Sequence, residues 1–225
     1  MIAVTFDAGQ TLVELDTAML ARRLGERGVR IAAEALDAAS PAAWDRYDAG
    51  VGRAPVPWKV FMDALLEGAG VDAGRAALVD WLWDEQPRAN LWRRPVAGMI
   101  EIVDELRAAG VAVGVLSNSE GRLAELFDEI GWAGRFDAIV DSGREGVEKP
   151  DRRIFERAAA RIGAALPDLV HVGDSRTADV DGVRACGARA IWFGRAVRAL
   201  DDPGVRIAHD AAGVRAALAD FGAPL

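Results

Sequence analysis

The chain has 225 residues, of which 51% are hydrophobic and 28% charged, and its formal net charge is −8. This composition is typical of a globular protein rather than a disordered segment. The negative charge argues against non-specific binding to nucleic acids or membranes. Cys186 is the only cysteine, which excludes an intrachain disulfide and favours a reducing, cytoplasmic location. We also expect no signal peptide and no membrane-spanning segment, because no suitable apolar run is present.

The first predicted element is a buried strand, Ile2–Phe6, because a short apolar run ends abruptly at Asp7. Residues 14–92 that follow have helical patterns and no convincing strand. Five of the seven tryptophans lie in this segment, and we expect most of them to form its core. Its patterns predict amphipathic helices at Trp58–Leu66 and Arg75–Asp84. They also predict a helix that starts at Ser40–Pro41 and a Gly/Pro-rich loop at Gly50–Pro57.

Strand and helix patterns alternate from about residue 93 to the end of the chain. The predicted strands are 111–116, 136–140, 169–173, 188–193 and a weaker one at 205–208. The predicted helices are 97–109, one capped by Ser119, one opened by Asp151, 179–186 and 214–221. Such alternation predicts an α/β fold with a parallel sheet covered by helices.

Polar residues follow three of the apolar strands at the point where each strand ends. They are Asp7, Ser117 and Asp174. Because ligands of open α/β sheets bind beyond the carboxyl ends of the strands, we expect these residues to meet in one crevice. A carboxylate nucleophile, a hydroxyl, the ammonium of Lys149 and a second carboxylate suit phosphoryl transfer.

Four motifs, in order and with matching spacing, resemble those of the haloacid dehalogenase (HAD) superfamily of hydrolases. They are Asp7-x-x-x-Thr11-Leu12, Ser117-Asn118, Ser142-x-x-x-Gly146-x-x-Lys149-Pro150-Asp151, and Gly173-Asp174-Ser175-x-x-x-Asp179-Val180. The resemblance covers nearly the whole chain. It implies a Rossmann-like core of residues 1–13 and 93–225, and an all-helical cap of residues 14–92 inserted after the first strand.

The resemblance also implies a role for each motif residue. Asp7 would be the nucleophile that becomes an aspartyl-phosphate, assisted by Lys149. Ser117, Asn118 and Lys149 would bind the phosphoryl group. Mg²⁺, which prefers hard oxygen ligands, would be held by the Asp7 carboxylate, the Gly9 carbonyl and Asp174. Asp179 would act as a ligand through water or as a support.

Gly9 departs from the phosphatase pattern of this family, in which a second aspartate protonates the leaving group. General acid–base catalysis is worth about 10²–10⁴-fold, so we expect slow hydrolysis of alkyl phosphates. The prediction is a Mg²⁺-dependent phosphatase acting on a small phosphorylated metabolite. We expect a monomer or homodimer with no nucleic-acid or membrane partner.

Three other functions stay open because of Gly9. A 2-haloacid dehalogenase expels a halide that needs no proton, but that subgroup lacks the aspartate found here at position 174. A phosphonate-cleaving enzyme would form a Schiff base between a cap lysine and its substrate, and Lys59 lies in the predicted cap. A catalytically idle member would bind phosphate or a protein partner instead.

Overall fold

The computed structural model describes residues 2–50, 54–194 and 200–225. The chain divides into two compact units, Met1–Glu14 with Arg93–Leu225, and Leu15–Trp92. Within the described residues, no helix combines the length and the apolar character that crossing a membrane requires.

A six-stranded sheet forms the centre of the first unit. Its strands are β1 (Ala3–Phe6), β4 (Ala112–Ser117), β5 (Ala138–Asp141), β6 (Leu169–Gly173), β7 (Arg189–Phe193) and β8 (Val205–Ala208). Their order in the sheet is β5-β4-β1-β6-β7-β8, and every neighbouring pair is parallel. All residues of β1 and β6 are buried, as expected for parallel strands covered on both faces. The predicted α/β fold is therefore confirmed.

Helices connect and flank these strands. They are α5 (Met99–Ala108), α6 (Leu123–Glu129), α7 (Ser142–Glu145), α8 (Arg152–Arg161), α9 (Gly182–Ala185) and α10 (Ala211–Asp220). Asp151 is the N-cap of α8, as predicted, and its carboxylate accepts a hydrogen bond from the Arg153 N–H. The same helix buries Ile154 and Phe155 against the sheet. Packing of an apolar helix face supplies most of the stability of such short helices.

The second unit is helical and has its own core. Its helices are α1 (Thr17–Glu26), α2 (Ala33–Gly50), α3 (Pro57–Gly68) and α4 (Arg75–Glu85). Trp44 lies at the centre of an aromatic cluster, with ring centroids 4.2 Å from Phe61 and 6.3 Å from Trp92. The expectation that most tryptophans here serve the core is met by Trp44, Trp58, Trp81 and Trp92, which belong to or pack on this core.

The predicted helix start at Ser40–Pro41 is wrong. Pro41 lies inside α2, which begins at Ala33 and runs to Gly50. An internal proline costs about 3 kcal/mol because it removes a backbone hydrogen bond and crowds the preceding turn. Leu36 and Ala43, on either side of Pro41, are both fully buried in the core of the unit, and this packing offsets that cost.

The predicted N-cap at Ser119 is also wrong. Helix α6 begins at Leu123, and the carboxylate of Asp141 caps it from the end of β5. Asp141 accepts hydrogen bonds from the N–H groups of Leu123 (3.0 Å) and Gly121 (2.9 Å). A buried carboxylate from a neighbouring strand thus satisfies donors that a helix start leaves free.

Three further differences concern short elements. The strands β2 (Val13–Leu15) and β3 (Trp92–Pro95) pair with each other, where no strand was expected. In place of one helix over 179–186, a π-helical turn, Arg176–Asp181, precedes α9. The predicted loop Gly50–Pro57 lies partly outside the described residues.

Candidate active site

Asp7 lies directly after β1, at the carboxyl edge of the sheet between β4 and β6. Its N–H donates to the carbonyl of Val172 over 2.8 Å, so strand pairing continues into the functional loop. The Ala8 carbonyl accepts from the Val13 N–H at 2.9 Å, and Gly9 pairs with Val13 in an isolated bridge. The loop therefore turns back tightly from Gly9 to Val13.

The ammonium of Lys149 is buried and has three acceptors. Its Nζ lies 2.6 Å from Asp7 Oδ1, 2.6 Å from Asp179 Oδ1 and 3.0 Å from the Leu116 carbonyl oxygen. Burial alone would lower the pKa of Lys149, but the carboxylates of Asp179 and Asp7 raise it above its ordinary value. Burial raises the pKa of Asp7, and the Lys149 charge opposes that rise.

Asn118 positions the backbone of Lys149. Its Nδ2 donates to the Lys149 carbonyl (3.0 Å), and its Oδ1 accepts from the Lys149 N–H (2.8 Å). Ser117 is the last residue of β4, is buried, and pairs in register with Asp141 of β5. Both residues lie where the sequence places them, at the carboxyl edge of the sheet. Their contact with a phosphoryl group stays a prediction.

Asp179 is held by the π-helical turn against the end of β6. Its Oδ2 accepts from the Ser175 N–H at 2.9 Å, and its Oδ1 lies 2.9 Å from His171 Nε2. Gly173 permits this approach, because a Cβ at that position would overlap the Asp179 carboxylate. Burial alone would raise the pKa of Asp179, but Lys149 and His171 lower it below its usual range. Asp179 is therefore ionised at neutral pH.

Three carboxylates of the site could hold a metal ion. Asp7, Asp174 and Asp179 each offer an oxygen, and these oxygens lie within 4.8 Å of one another. The half-buried Asp174 follows β6, and its carbonyl accepts a hydrogen bond from the Trp192 indole N–H at 3.0 Å. A divalent cation would neutralise negative charge at this cluster of carboxylates, two of which already share the Lys149 ammonium. Hard carboxylate oxygens also suit Mg²⁺.

His171 is the residue of this region that sequence analysis missed. It lies inside β6, its side chain is fully buried, and it contacts both Asp179 and Thr5 of β1. A histidine within an apolar strand is the one signal that the sequence offers. The partner of that histidine lies eight residues further on, beyond a loop whose path the sequence does not reveal.

Comparison with known proteins identifies the family. The family model described as haloacid dehalogenase-like hydrolase matches residues 1–187. The chain belongs to the haloacid dehalogenase-like hydrolases. The family expected from the four motifs is therefore confirmed.

Among curated relatives, this HAD-like chain is similar to phosphoserine phosphatase of Thermus thermophilus. The two are 32% identical over 167 residues, which cover 71% of this chain and 66% of the relative. The matched part covers between 36% and 66% of the length of such curated relatives. The activities of those whole proteins are therefore only proposed for this chain.

Solved structures with the same fold include both phosphatases and dehalogenases. A HAD phosphatase from Thermococcus onnurineus aligns over 99% of both chains with a TM-score of 0.62 and 20% identity. A 2-haloacid dehalogenase from Pseudomonas syringae pv. Tomato DC3000 aligns over 99% of this chain and 100% of its own, with a TM-score of 0.58 and 25% identity. The fold alone does not separate the two activities.

Proposed function

We propose that this chain is a Mg²⁺-dependent phosphatase that hydrolyses a small phosphorylated metabolite through an aspartyl-phosphate. The observation that carries the proposal is the buried Lys149 ammonium, which joins Asp7 to Asp179 with 2.6 Å contacts on both sides. Asp174 offers a further carboxylate oxygen within 4.8 Å of theirs. These groups meet at the carboxyl edge of the sheet, where α/β folds bind ligands.

Asp7 would perform covalent catalysis in two displacements. A carboxylate oxygen of Asp7 forms a bond to phosphorus, while the bond from phosphorus to the leaving oxygen breaks. Water then attacks the phosphorus of the aspartyl-phosphate, releasing phosphate and restoring Asp7. Since Gly9 has no side chain, the leaving oxygen takes its proton from solvent.

Lys149 would hold Asp7 in place and stabilise negative charge that develops on the phosphoryl group. All three hydrogens of its ammonium already have acceptors within the chain. A phosphoryl oxygen that bound this ammonium would replace one of them. The Leu116 carbonyl, at 3.0 Å, is the most distant and the only uncharged acceptor of the three, so it is the one we expect to give way. Ser117 and Asn118 would contribute hydrogen-bond donors at the same edge.

Asp7, the Gly9 carbonyl and Asp174 would hold the Mg²⁺, with Asp179 as a support. When bound, the cation would neutralise negative charge on the transferred group. The carboxylate donor set, with its oxygens within 4.8 Å of one another, fits such an ion. Ser175 and His171 orient the Asp179 carboxylate, and the Trp192 indole holds the main-chain carbonyl of Asp174.

The substrate is proposed to be a phosphorylated metabolite of the size of phosphoserine. Two curated relatives carry the names phosphoserine phosphatase and glyceraldehyde 3-phosphate phosphatase, and both names describe small substrates. We propose that residues 14–92 are the cap, that residues 1–13 and 93–225 are the core, and that the cap sets specificity. A reducing, cytoplasmic location fits a chain whose one cysteine is a free thiol.

The experiment is metal-dependent turnover of p-nitrophenyl phosphate by the wild-type chain and by Asp7→Asn. We expect turnover with Mg²⁺, its loss with EDTA, and no measurable turnover by Asp7→Asn, because an amide is a poor nucleophile. Asp128→Asn, at an exposed position of α6, is the matched control and should retain wild-type activity. Full activity of Asp7→Asn would overturn the proposal.

A second candidate function is 2-haloacid dehalogenation. Gly9 favours it, because a halide leaves without a proton, and the fold matches a solved dehalogenase at 25% identity. The cluster of Asp7, Asp174 and Asp179 speaks against it, since attack on carbon needs no metal. Release of halide from 2-chloropropionate in EDTA, without turnover of aryl phosphates, would establish the dehalogenase instead.

A further inference from the structure

His171 is a polar ring in the interior of the sheet. It lies opposite Thr5 in the parallel pairing of β6 with β1, and its side chain has no exposed surface. The Phe155 ring packs against the imidazole in a T-shaped arrangement, with 5.8 Å between the ring centroids. Burying a polar group in such a place costs free energy unless both ring nitrogens find partners.

Both nitrogens of the ring have partners. Thr5 Oγ1 lies 2.9 Å from Nδ1, and Asp179 Oδ1 lies 2.9 Å from Nε2. Because an ionised carboxylate can only accept, Nε2 must carry the hydrogen of that contact. In the neutral ring the Thr5 hydroxyl is then the donor to Nδ1. Two hydrogen bonds thus fix the ring orientation from opposite sides.

The His171 contact falls on the same carboxylate oxygen that Lys149 uses. Asp179 Oδ1 accepts from both His171 and Lys149, whose Nζ is 2.6 Å away. The other oxygen, Oδ2, accepts from the Ser175 N–H. With three donors from different elements, the Asp179 carboxylate has one orientation. Lys149 in turn lies 2.6 Å from Asp7.

We propose that His171 is a positioning residue for the nucleophile. It acts through a chain of four contacts that runs from Thr5 through His171, Asp179 and Lys149 to Asp7. Its Nε2–H holds Asp179 so that Asp179 and Asp7 share the Lys149 ammonium. The catalytic consequence rests on the proposed phosphatase function, whereas the hydrogen-bond chain itself does not.

The first test is the position of the imidazole hydrogen in the wild-type chain. The sequence has only two histidines, and the other, His209, is exposed, so long-range ¹H–¹⁵N NMR gives two imidazole patterns. His209→Gln assigns them by removing one. We expect a protonated, slowly exchanging Nε2 for His171. A wild-type His171 whose Nε2 lacks hydrogen would overturn the proposal.

The second test asks whether a change at His171 reaches Lys149. His171→Leu removes the donor, while His171→Gln can return an N–H at a similar distance from the backbone. Because Lys59 and Lys149 are the only lysines, ¹⁵N-lysine labelling gives two ammonium signals. We expect His171→Leu to shift the Lys149 signal and leave Lys59 unmoved, with His171→Gln closer to wild type. An unmoved Lys149 signal in folded His171→Leu would contradict positioning.

Kinetics provide the third readout. We expect His171→Leu to lower kcat by about 10–100-fold with KM changed little, and His171→Gln to recover part of the loss. A folded His171→Leu with wild-type kcat would overturn the catalytic role. If the wild-type chain turns over no phosphate ester, the proposed function fails, and the two NMR readouts still decide the hydrogen-bond chain. If His171→Leu does not fold, the wild-type Nε2 signal and His171→Gln decide it.

Discussion

Gly9 is the residue at which this chain departs from the phosphatase motifs that it otherwise resembles. It stands two positions after Asp7, where the resemblance to phosphatases of this family implies a second aspartate. In the proposed mechanism, an alkoxide leaving group would depart without a general acid at this position. The second step would also be slow, because no base at this position would activate water. We therefore expect the fastest turnover with substrates whose leaving groups are acidic.

Gly9→Asp should raise kcat/KM for alkyl phosphates by about 10²-fold or more, the usual range for general acid–base catalysis. Aryl phosphates should gain less, because phenoxide needs little help to leave. The measurement is kcat/KM for one substrate of each type with Mg²⁺ present. Gly9→Asn, which has the same size without an acid, is the matched control. Equal gains on both substrates, or equal gains by Asn and Asp, would refute the missing-acid explanation.

At the scale of elements, β6 and the π-helical turn behind it form one functional unit. Gly173 ends the strand, and Asp179 returns from the turn to lie against its backbone. π-helical segments are rare and occur often at functional sites. Here the turn brings Asp179 back to within reach of Lys149 and His171.

Gly173→Ala should therefore damage both stability and activity. The added methyl would overlap the Asp179 carboxylate, and overpacking of this kind costs about 1–3 kcal/mol. Displacement of Asp179 should also lower kcat. Urea unfolding and turnover measure the two effects. Gly25→Ala, inside α1 where a Cβ meets nothing within 4 Å, is the control and should be neutral or stabilising. Wild-type kcat in folded Gly173→Ala would contradict the packing explanation.

Buried strands were the elements that the sequence predicted best. The predicted β6 and β8 have the observed bounds, 169–173 and 205–208, because a short and mainly apolar run is a local signal. The start of α2 and the cap of α6 were predicted wrongly for a common reason. Each depends on a distant partner, namely core packing around Pro41 and the carboxylate of Asp141.

The candidate site could be predicted only in part for the same reason. Asp7, Ser117 and Asp174 each follow an apolar run, so their position at one sheet edge follows from the order of the chain. Lys149 was assigned to the site from its motif alone, and in the structure its ammonium donates a hydrogen bond to the Asp7 carboxylate. His171 was missed, because its role exists only through a hydrogen bond across the turn.

For the molecule as a whole, the distribution of charge determines how stability depends on pH. Of the 27 basic side chains, only Lys59 and Lys149 are lysines, and arginine does not lose its charge in the accessible range. Many arginines form exposed pairs with carboxylates, such as Arg215 with Glu105 and Arg206 with Asp220, which contribute little individually. The alkaline titration of the chain therefore has few contributors.

Lys149 should dominate that alkaline range. Its pKa is raised above 10.5 in the folded chain, so its stabilisation is complete below pH 10.5 and is lost as pH rises further. Lys149→Met should lower the free energy of unfolding by about 3–5 kcal/mol at neutral pH, because two buried carboxylates lose their counter-charge. Above pH 10.5, the stability of this variant should fall less steeply than that of the wild type. The measurement is the free energy of unfolding in urea as a function of pH.

Two controls separate Lys149 from other groups. Lys59→Met removes a partly exposed lysine that pairs with Asp80, and it should follow the wild-type curve. Burial raises the pKa of the Cys186 thiol above 9.0, which also lowers stability as pH rises, so Cys186→Ala should remove a component that begins near pH 9.0. Parallel curves for the wild type and Lys149→Met above pH 10.5 would show that Lys149 is not the responsible group.

Trapping the intermediate on Asp7 tests the proposed chemistry most directly. An aspartyl-phosphate is an acyl phosphate, and borohydride reduces it to homoserine. Since Gly9 supplies no base for the hydrolysis step, the intermediate should accumulate during turnover of an aryl phosphate with Mg²⁺. After acid quench and borohydride reduction, peptide mass spectrometry should find homoserine at position 7, and not in Asp7→Asn or without substrate. Turnover of the aryl phosphate with no change at Asp7, or with the label on another residue, would contradict the mechanism.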